Sequence, residues 1–380
     1  MQYPSKTLLF TSMFSGLTLT HLYADYSYID TQTNTTTPVV TTSISDAPKP
    51  QPLPSARPEV NEGFDLFIMG ELLIWKTNTS GLVYAIQDNS KNATTIANGY
   101  AKSPNFNYNY GFDVDIGCNL SHDGWDAILG WTWFRDTSNN QLTNNNNSAT
   151  LFTTFISPTA ISKTNIDGPC YAQTANSNLH IKLDLVDLEM GREFYAGKWL
   201  SLRPFFGMRS GWITQNLTNN YQNVTDYSNP SSIVFSDYQA QLSNYYFGFG
   251  PRLGINSYWG FGSGWSLYGN ISLAILFGYF KIQHNEYSYS TSGAETVQKS
   301  IHNSYHATKP VTDAELGIQW DCMILNDAIH LGFNAGWQQV LFFSQNQFMH
   351  FTSPSEQGQF FQNQGDLAFQ GFTFGMRIDF

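Results

Sequence analysis

Residues 110–134 read YGFDVDIGCNLSHDGWDAILGWTWF. From Phe112 to Leu120 every second residue is apolar (Phe112, Val114, Ile116, Cys118, Leu120), and the residues between them are Asp113, Asp115, Gly117 and Asn119. Successive side chains of a β-strand point to opposite faces, so this period of two predicts a strand with one apolar and one polar face. The stretch SHDG carries the Asp-Gly signal of a tight turn. The chain then returns with Trp125, Ala127, Leu129, Trp131 and Trp133 on one face. A hairpin this apolar on one side needs either a second sheet or a bilayer to cover it.

Composition favours the bilayer. Of 380 residues only 12% are charged, about half the usual share of ~25%, while 16% are aromatic. Mean hydropathy is nevertheless −0.28, and after residue 25 no apolar run approaches the ~20 residues of a membrane helix. Low charge and many aromatics without such a run are the signature of a transmembrane β-barrel, whose signal is alternation. A net charge of −11 excludes the basic footprint of nucleic-acid binding. Three cysteines cannot all pair within one chain, and none has a metal-site spacing.

The hairpin pattern recurs. Leu179–Phe194 turns into Trp199–Ile213, Tyr245–Tyr258 into Trp265–Phe280, and Val311–Cys322 into Ile329–Phe342. Phe64–Lys76 and Leu367–Phe380 stand alone at the two ends. The connections at 121–124, 195–198, 259–264 and 323–328 are short, whereas those at 77–109, 135–178, 214–243, 281–310 and 343–366 are long and Asn-rich. A soluble sandwich has no reason to place every long loop at one end. The expectation is an all-β fold: a transmembrane, antiparallel, up-and-down β-barrel with short periplasmic turns and long extracellular loops. The strand number is about ten, with a range of about 10–16, because stretches such as 149–156 and 231–238 could add strands. An even number leaves both termini in the periplasm and lets the first and last strands pair, removing the sheet edges.

Residues 1–24 read as a secretory signal peptide, with Lys6 before a short apolar stretch and Ala24 at the cleavage site. Residues 25–62 are rich in Thr and Pro and read as a disordered periplasmic arm. Residues 63–380 form the barrel.

In lipid the apolar parity faces outward, and Arg there costs ~2–4 kcal/mol at mid-bilayer. The opposite parity carries Asp113, Asp115, Arg203, Arg209, Arg252, Asp313, Glu315 and Arg377, which are expected to line the lumen and set its selectivity. Inward Gly, Ser, Asn and Thr are expected to leave room for water. Trp125, Trp199, Trp212, Trp259 and Trp265 lie near segment ends, where an aromatic girdle belongs. The function expected is therefore a porin for ions and small hydrophilic solutes. The alternative is a non-conducting surface barrel whose loops mediate adhesion or host contact, since ten strands enclose an interior that side chains can nearly fill.

Enzyme chemistry is not expected, and neither is a cofactor or a metal. GFGSGW lacks the spacing of a nucleophile elbow, His122-Asp123 sits in a turn, and His302 with His306 has no clear third ligand. Cys118 and Cys322 face lipid by parity, whereas Cys170, in the loop IDGPCYAQ, is positioned to cross-link another protein. The chain ends with Phe372, Phe374, Met376, Ile378 and Phe380 on one face, which resembles the signal read by barrel-assembly machinery. The expected partners are that machinery, outer-membrane lipid and small hydrophilic solutes, with no nucleic acid; a homo-oligomer and host contacts through the loops remain open.

The stretches FDLFIMGELLIWKTNTSGLVYAI (64–86), residues 111–134, and LVDLEMGREFYAGKWLSLRPFFGMRSGWI (185–213) resemble the Legionella-type major outer-membrane protein family, which also occurs in chlamydia-like bacteria. The likeness runs over most of residues 64–380 and rests on Trp75, the His-Asp-Gly-Trp at 122–125, the Trp-Thr-Trp at 131–133 and the Arg-Pro-Phe-x-Gly at 203–207. It implies a pore-forming barrel in the outer membrane of a Gram-negative bacterium, with no catalytic residues to carry over.

Overall fold

The computed structural model describes residues 65–88, 99–120, 124–144, 150–156, 170–226, 232–351 and 359–380, with residues 55, 56, 58 and 60. The expected signal peptide, nearly all of the expected arm and the His122-Asp123 turn lie outside the described residues. The strands are β1 (Leu66–Thr79), β2 (Ala85–Asp88), β3 (Gly99–Lys102), β4 (Tyr108–Asn119), β5 (Trp125–Thr143) and β6 (Thr150–Thr153). They continue with β7 (Cys170–Ala172), β8 (Thr174–Arg192), β9 (Phe194–Tyr195), β10 (Leu200–Asp226), β11 (Ile233–Gly262) and β12 (Trp265–Tyr289). The last five are β13 (Glu295–Ile324), β14 (Ile329–Asn346), β15 (Met349–Phe351), β16 (Phe360–Gln362) and β17 (Gly365–Asp379).

Ten of these strands pair in a closed ring. The order is β1-β4-β5-β8-β10-β11-β12-β13-β14-β17, and β17 returns to β1 along an antiparallel register from Phe67↔Asp379 to Thr79↔Leu367. The ten segments legible in the sequence are these ten strands. Following paired residues once around from Leu66, through Cys118, Ala127, Met190, Phe206, Leu253, Leu273, Thr312, Leu341 and Ala368, ends at Asn78. The register thus advances twelve residues per circuit. With ~3.3 Å rise and ~4.8 Å between strands, that stagger tilts the strands by about 40° and gives a backbone radius of roughly 10 Å.

The ring is uneven in height. β4 has 12 residues, while β11 and β13 have 30 each. The expected long loop at 281–310 is mostly strand: β12 and β13 continue to a tight turn in which Gly293 N–H donates to Ser290 O at 2.9 Å. Residues 231–238 belong largely to β11. Residues 149–156 contain β6, which joins β2, β3 and β7 in a small sheet attached to the far end of β10. The seven short strands raise the total above ten without entering the ring, apart from the pairings of β7 and β9 with β10.

Outside the ring, a band of exposed apolar side chains girdles the half nearer the short turns. It includes Ile68, Ile116, Leu129, Leu188, Phe206, Leu253, Ile271, Leu316 and Phe374. Trp125, Trp199, Trp259 and Trp265 mark its edge at the short turns. Trp212, 5.3 Å from Phe247, marks the opposite edge. It was expected near a strand end, but β10 runs on to Asp226. Beyond that edge the pattern inverts: on β10, Ile213, Leu217 and Tyr221 point inward and are at most 1% exposed.

Candidate functional site

The interior has two layers. Nearest the short turns is a cavity of about 960 Å³. All eight charged residues expected on the inner face line it: Asp113, Asp115, Arg203, Arg209, Arg252, Asp313, Glu315 and Arg377. Their positions follow from strand parity alone, because inward side chains alternate with lipid-facing ones.

One wall of the cavity is an ion lattice. The Arg209 guanidinium donates from Nε and Nη2 to the two Asp187 oxygens, each at 2.7 Å, and its Nη1 lies 2.7 Å from Asp313 Oδ2. Arg252 reaches Asp187 at 3.1 Å, Asp313 at 3.2 Å and Glu189. Arg203 grips Asp126 at 2.8 and 2.5 Å and lies 3.4 Å from Glu189. Each arginine therefore ties strands that are not sequence neighbours. Buried ion pairs recover little net stability because desolvation offsets attraction, but removing one partner strands the other at a cost of about 3–5 kcal/mol.

The facing wall is acidic and meets only neutral donors. Glu315 accepts from Tyr268 Oη at 2.7 Å, Thr373 Oγ1 at 2.7 Å and Asn270 Nδ2 at 3.0 Å. Glu71 accepts from Asn334 at 2.8 Å, and Asp113 from Thr132 at 2.9 Å. At the mouth, Asp379 joins Arg377 (2.7 Å) to His330 (2.7 Å). There Ser55 bridges Phe194, while Ala56 and Pro58 line the cavity, so this end of the expected arm touches the barrel.

Above the charges the interior turns apolar within one or two inward positions on β1, β5, β8, β10 and β13. Glu71 is followed by Leu73 and Trp75, Thr132 by Phe134, and Asp313 gives way to Val311. Asp187 gives way to Leu185 and Leu183, and Arg209 to Ile213 after Gly211. Trp75 is 1% exposed, and Phe134, Leu183, Ile213, Phe342 and Phe369 are 0% exposed. The rings of Trp75, Phe134 and Phe369 meet at centroid separations of 5.4, 6.1 and 5.5 Å. Across five strand pairings, Phe134, Leu183, Ile213, Tyr246, Phe280 and Tyr305 lie side by side.

Inward glycines were expected to leave room for water, and here they do not. A Cβ on Gly248 or on Gly278 would collide with the Tyr246 ring, which lies across both positions. Glycine in these strands admits a large neighbouring ring instead of solvent. The apolar layer continues into the long-loop end, where Tyr84, Phe106, Phe155, Phe348 and Phe351 fill the space under β2, β3 and β6.

The sequence reading missed Glu71, Asp126, Asp187 and Glu189. The signal for two of them lies in LHIKLDLVDLEM (179–190). There the apolar residues switch from Leu179, Ile181, Leu183 and Leu185 to Val186, Leu188 and Met190. That switch of parity marks where lipid replaces water outside, and it assigns Asp187 and Glu189 to the interior.

Cys118 and Cys322 keep the outward parity expected of them. Cys170 does not sit where a cross-link to another protein could form: it is 3% exposed in β7 and packs in the apolar cluster. Among the described residues no group of three or more His, Cys, Asp and Glu could hold a metal ion. His302 and His306 lie on β13, on the outward face.

A comparison with curated protein sequences found no match. Solved structures matched by the chain include the outer-membrane protease OmpT of Escherichia coli, at 10% identity and TM-score 0.43, covering 84% of this chain and 98% of that one. Another is a major outer membrane protein of Thermus thermophilus, at 9% identity and TM-score 0.28, covering 83% and 98%. A third is the toluene transporter TodX of Pseudomonas putida, at 10% identity and TM-score 0.27, covering 84% and 91%. The family model described as the Legionella pneumophila major outer membrane protein precursor matches residues 56–380. With its closed ring, its apolar girdle and that match over the whole barrel, the chain belongs to this family of outer-membrane β-barrel proteins.

Proposed function

We propose that the protein is a surface barrel closed to free diffusion: it anchors an ordered assembly of extracellular strands and does not pass ions or small hydrophilic solutes at rest. The observation that carries this reading is the apolar layer, in which Trp75, Phe134, Leu183, Ile213, Phe342 and Phe369 are withdrawn from water. A constriction lined by such side chains excludes water even where some width remains. The extracellular part, with β10 to β13 rising above the girdle and β2, β3, β6, β7, β15 and β16 packed on them, is then the part that meets the surroundings. It requires no catalytic group.

The porin reading has in its favour the charged cavity on the periplasmic side and membership of a family whose resemblance implies a pore-forming barrel. In that reading the eight charged residues set selectivity and the apolar layer is a gate that parts. Liposome swelling separates the two. Barrels refolded into vesicles should give no swelling with arabinose or glycine beyond that of empty vesicles. Swelling that falls with solute size would establish the porin instead.

A further inference from the structure

We propose that the outer wall formed by β1, β4, β5 and β8, just beyond the upper aromatic belt, holds the headgroup of a bisphosphorylated glucosamine lipid of the lipid A class. Arg135 and Lys182 lie directly opposite each other in the β5–β8 register. Both have the outward parity, and Lys182 is exposed. Like charges directly opposite on one face of a sheet repel and destabilise the pairing. Asp184 offsets one of them, with its Oδ2 2.6 Å from Arg135 Nη2. The Lys182 ammonium has no carboxylate within 4.0 Å among the described residues. An anion placed between the two cations removes the repulsion.

The site is held in shape before any ligand arrives. Arg135 Nη1 donates to the Phe134 and Leu183 carbonyls at 2.9 and 2.6 Å, and the guanidinium lies 4.9 Å from the Trp133 ring centroid. Those contacts and Asp184 use three of its five N–H donors; the others remain for phosphate oxygens, which arginine binds by charge-assisted hydrogen bonds. On the next pair outward, Thr137 Oγ1 lies 2.8 Å from His180 Nδ1.

A third cation sits at the right spacing. Lys76 of β1 pairs with Tyr108 on the other side of β4. Two strand spacings and a two-residue offset along the strands separate it from Arg135, about 12 Å. Tyr108 and Tyr110, 51% and 66% exposed, cover the interval. Two anion points about 12 Å apart with a sugar-sized aromatic floor between them suit a disaccharide carrying one phosphate at each end. Immediately toward the bilayer on the same faces stand Trp133, Trp131 and Phe112, in ring contact at 5.2 Å, which supply the surface for acyl chains. A free phosphate would use only the cations, whereas the lipid uses both surfaces.

Native mass spectrometry of barrel refolded from denaturant, and so free of bacterial lipid, tests this. One molecule of bisphosphorylated lipid A should stay bound, ahead of its monophosphorylated form and of phosphatidylglycerol. Arg135→Gln with Lys182→Gln should weaken it about tenfold or more, the scale of a lost charge-assisted contact. Lys281→Gln, on the β12 side of the ring, should change nothing. Lys76→Gln, a surface change that leaves folding intact, should erase the preference for two phosphates over one. Equal binding by the double variant, no loss of preference in Lys76→Gln, or displacement of the lipid by inorganic phosphate would each overturn the proposal.

Discussion

The two halves of β10 obey opposite rules. From Leu202 to Trp212 its large apolar residues other than Phe205 point outward, Phe206 and Met208 being 54% and 44% exposed, while Arg203 and Arg209 point inward with Phe205 between them and are almost wholly buried. From Ile213 to Tyr221 the apolar residues point inward and Thr214, Asn216 and Thr218 face out. Backbone and pairing are continuous through the change. What differs is the outer solvent. Against lipid the outer face must be apolar, so the charges go in; against water the outer face is polar, so the apolar side chains meet in the middle and fill the barrel. The buried apolar layer is thus a direct consequence of strands that outgrow the membrane.

Substitutions that place one side chain on the wrong side of that boundary sharpen the contrast. The largest effect is expected for Leu183→Asp, which sets an unpaired charge inside the apolar layer. The barrel should fail to fold, losing more than about 4 kcal/mol, and should show no heat-dependent mobility on a gel. Arg209→Met, in the charged layer, leaves Arg252 as the one arginine still in contact with Asp187 and Asp313. It should cost up to about 3–5 kcal/mol in urea unfolding, and adding Asp187→Asn, which leaves Arg252 with Asp313 and Glu189, should recover part of that loss. Met208→Arg, on the lipid face, should cost about 2–4 kcal/mol. Thr218→Arg, the same kind of change ten residues further along the same outer face, should stay within about 0.5 kcal/mol. If Met208→Arg and Thr218→Arg cost the same, the boundary near Trp212 is misplaced.

The C-terminal seam affects assembly more than stability. Phe380 N–H donates to Leu66 O at 2.9 Å, one bond beyond the β1–β17 ladder. Deleting Phe380 should lower the yield of inserted barrel while leaving its urea midpoint within about 1 kcal/mol. Normal insertion would show that the terminal aromatic is not part of the recognition signal.

The ring was legible because membrane alternation is strict where it matters. Tyr110–Leu120 and its return through Trp133 show the parity, the turn and the girdle in one stretch, and the eight inward charges follow from counting by twos. The upper strands were not legible. A stretch such as ITQNLTNNY (213–221) has apolar residues at a spacing of four between polar ones, and it reads as an Asn-rich loop. Its inward positions alternate apolar with polar, Gln215 and Asn219 being as buried as Ile213, Leu217 and Tyr221, so no period of two shows in the apolar residues. The inner glycines misled for a related reason: a missing Cβ at Gly248 signals space only until the Tyr246 ring is placed over it. Parity was readable within a strand, whereas filling depended on residues far away in sequence.

Single-channel recording in planar bilayers tests the closed interior most directly, when wild-type protein is compared with a variant carrying Trp75→Ala, Phe134→Ala and Phe369→Ala. Heat-dependent gel mobility first shows that each is folded. No conductance steps are expected from the wild type, and steady steps are expected from the variant, which lacks the three aromatic rings that meet above the charges. Stable steps from the folded wild type, unchanged in the variant, would contradict the closed interior.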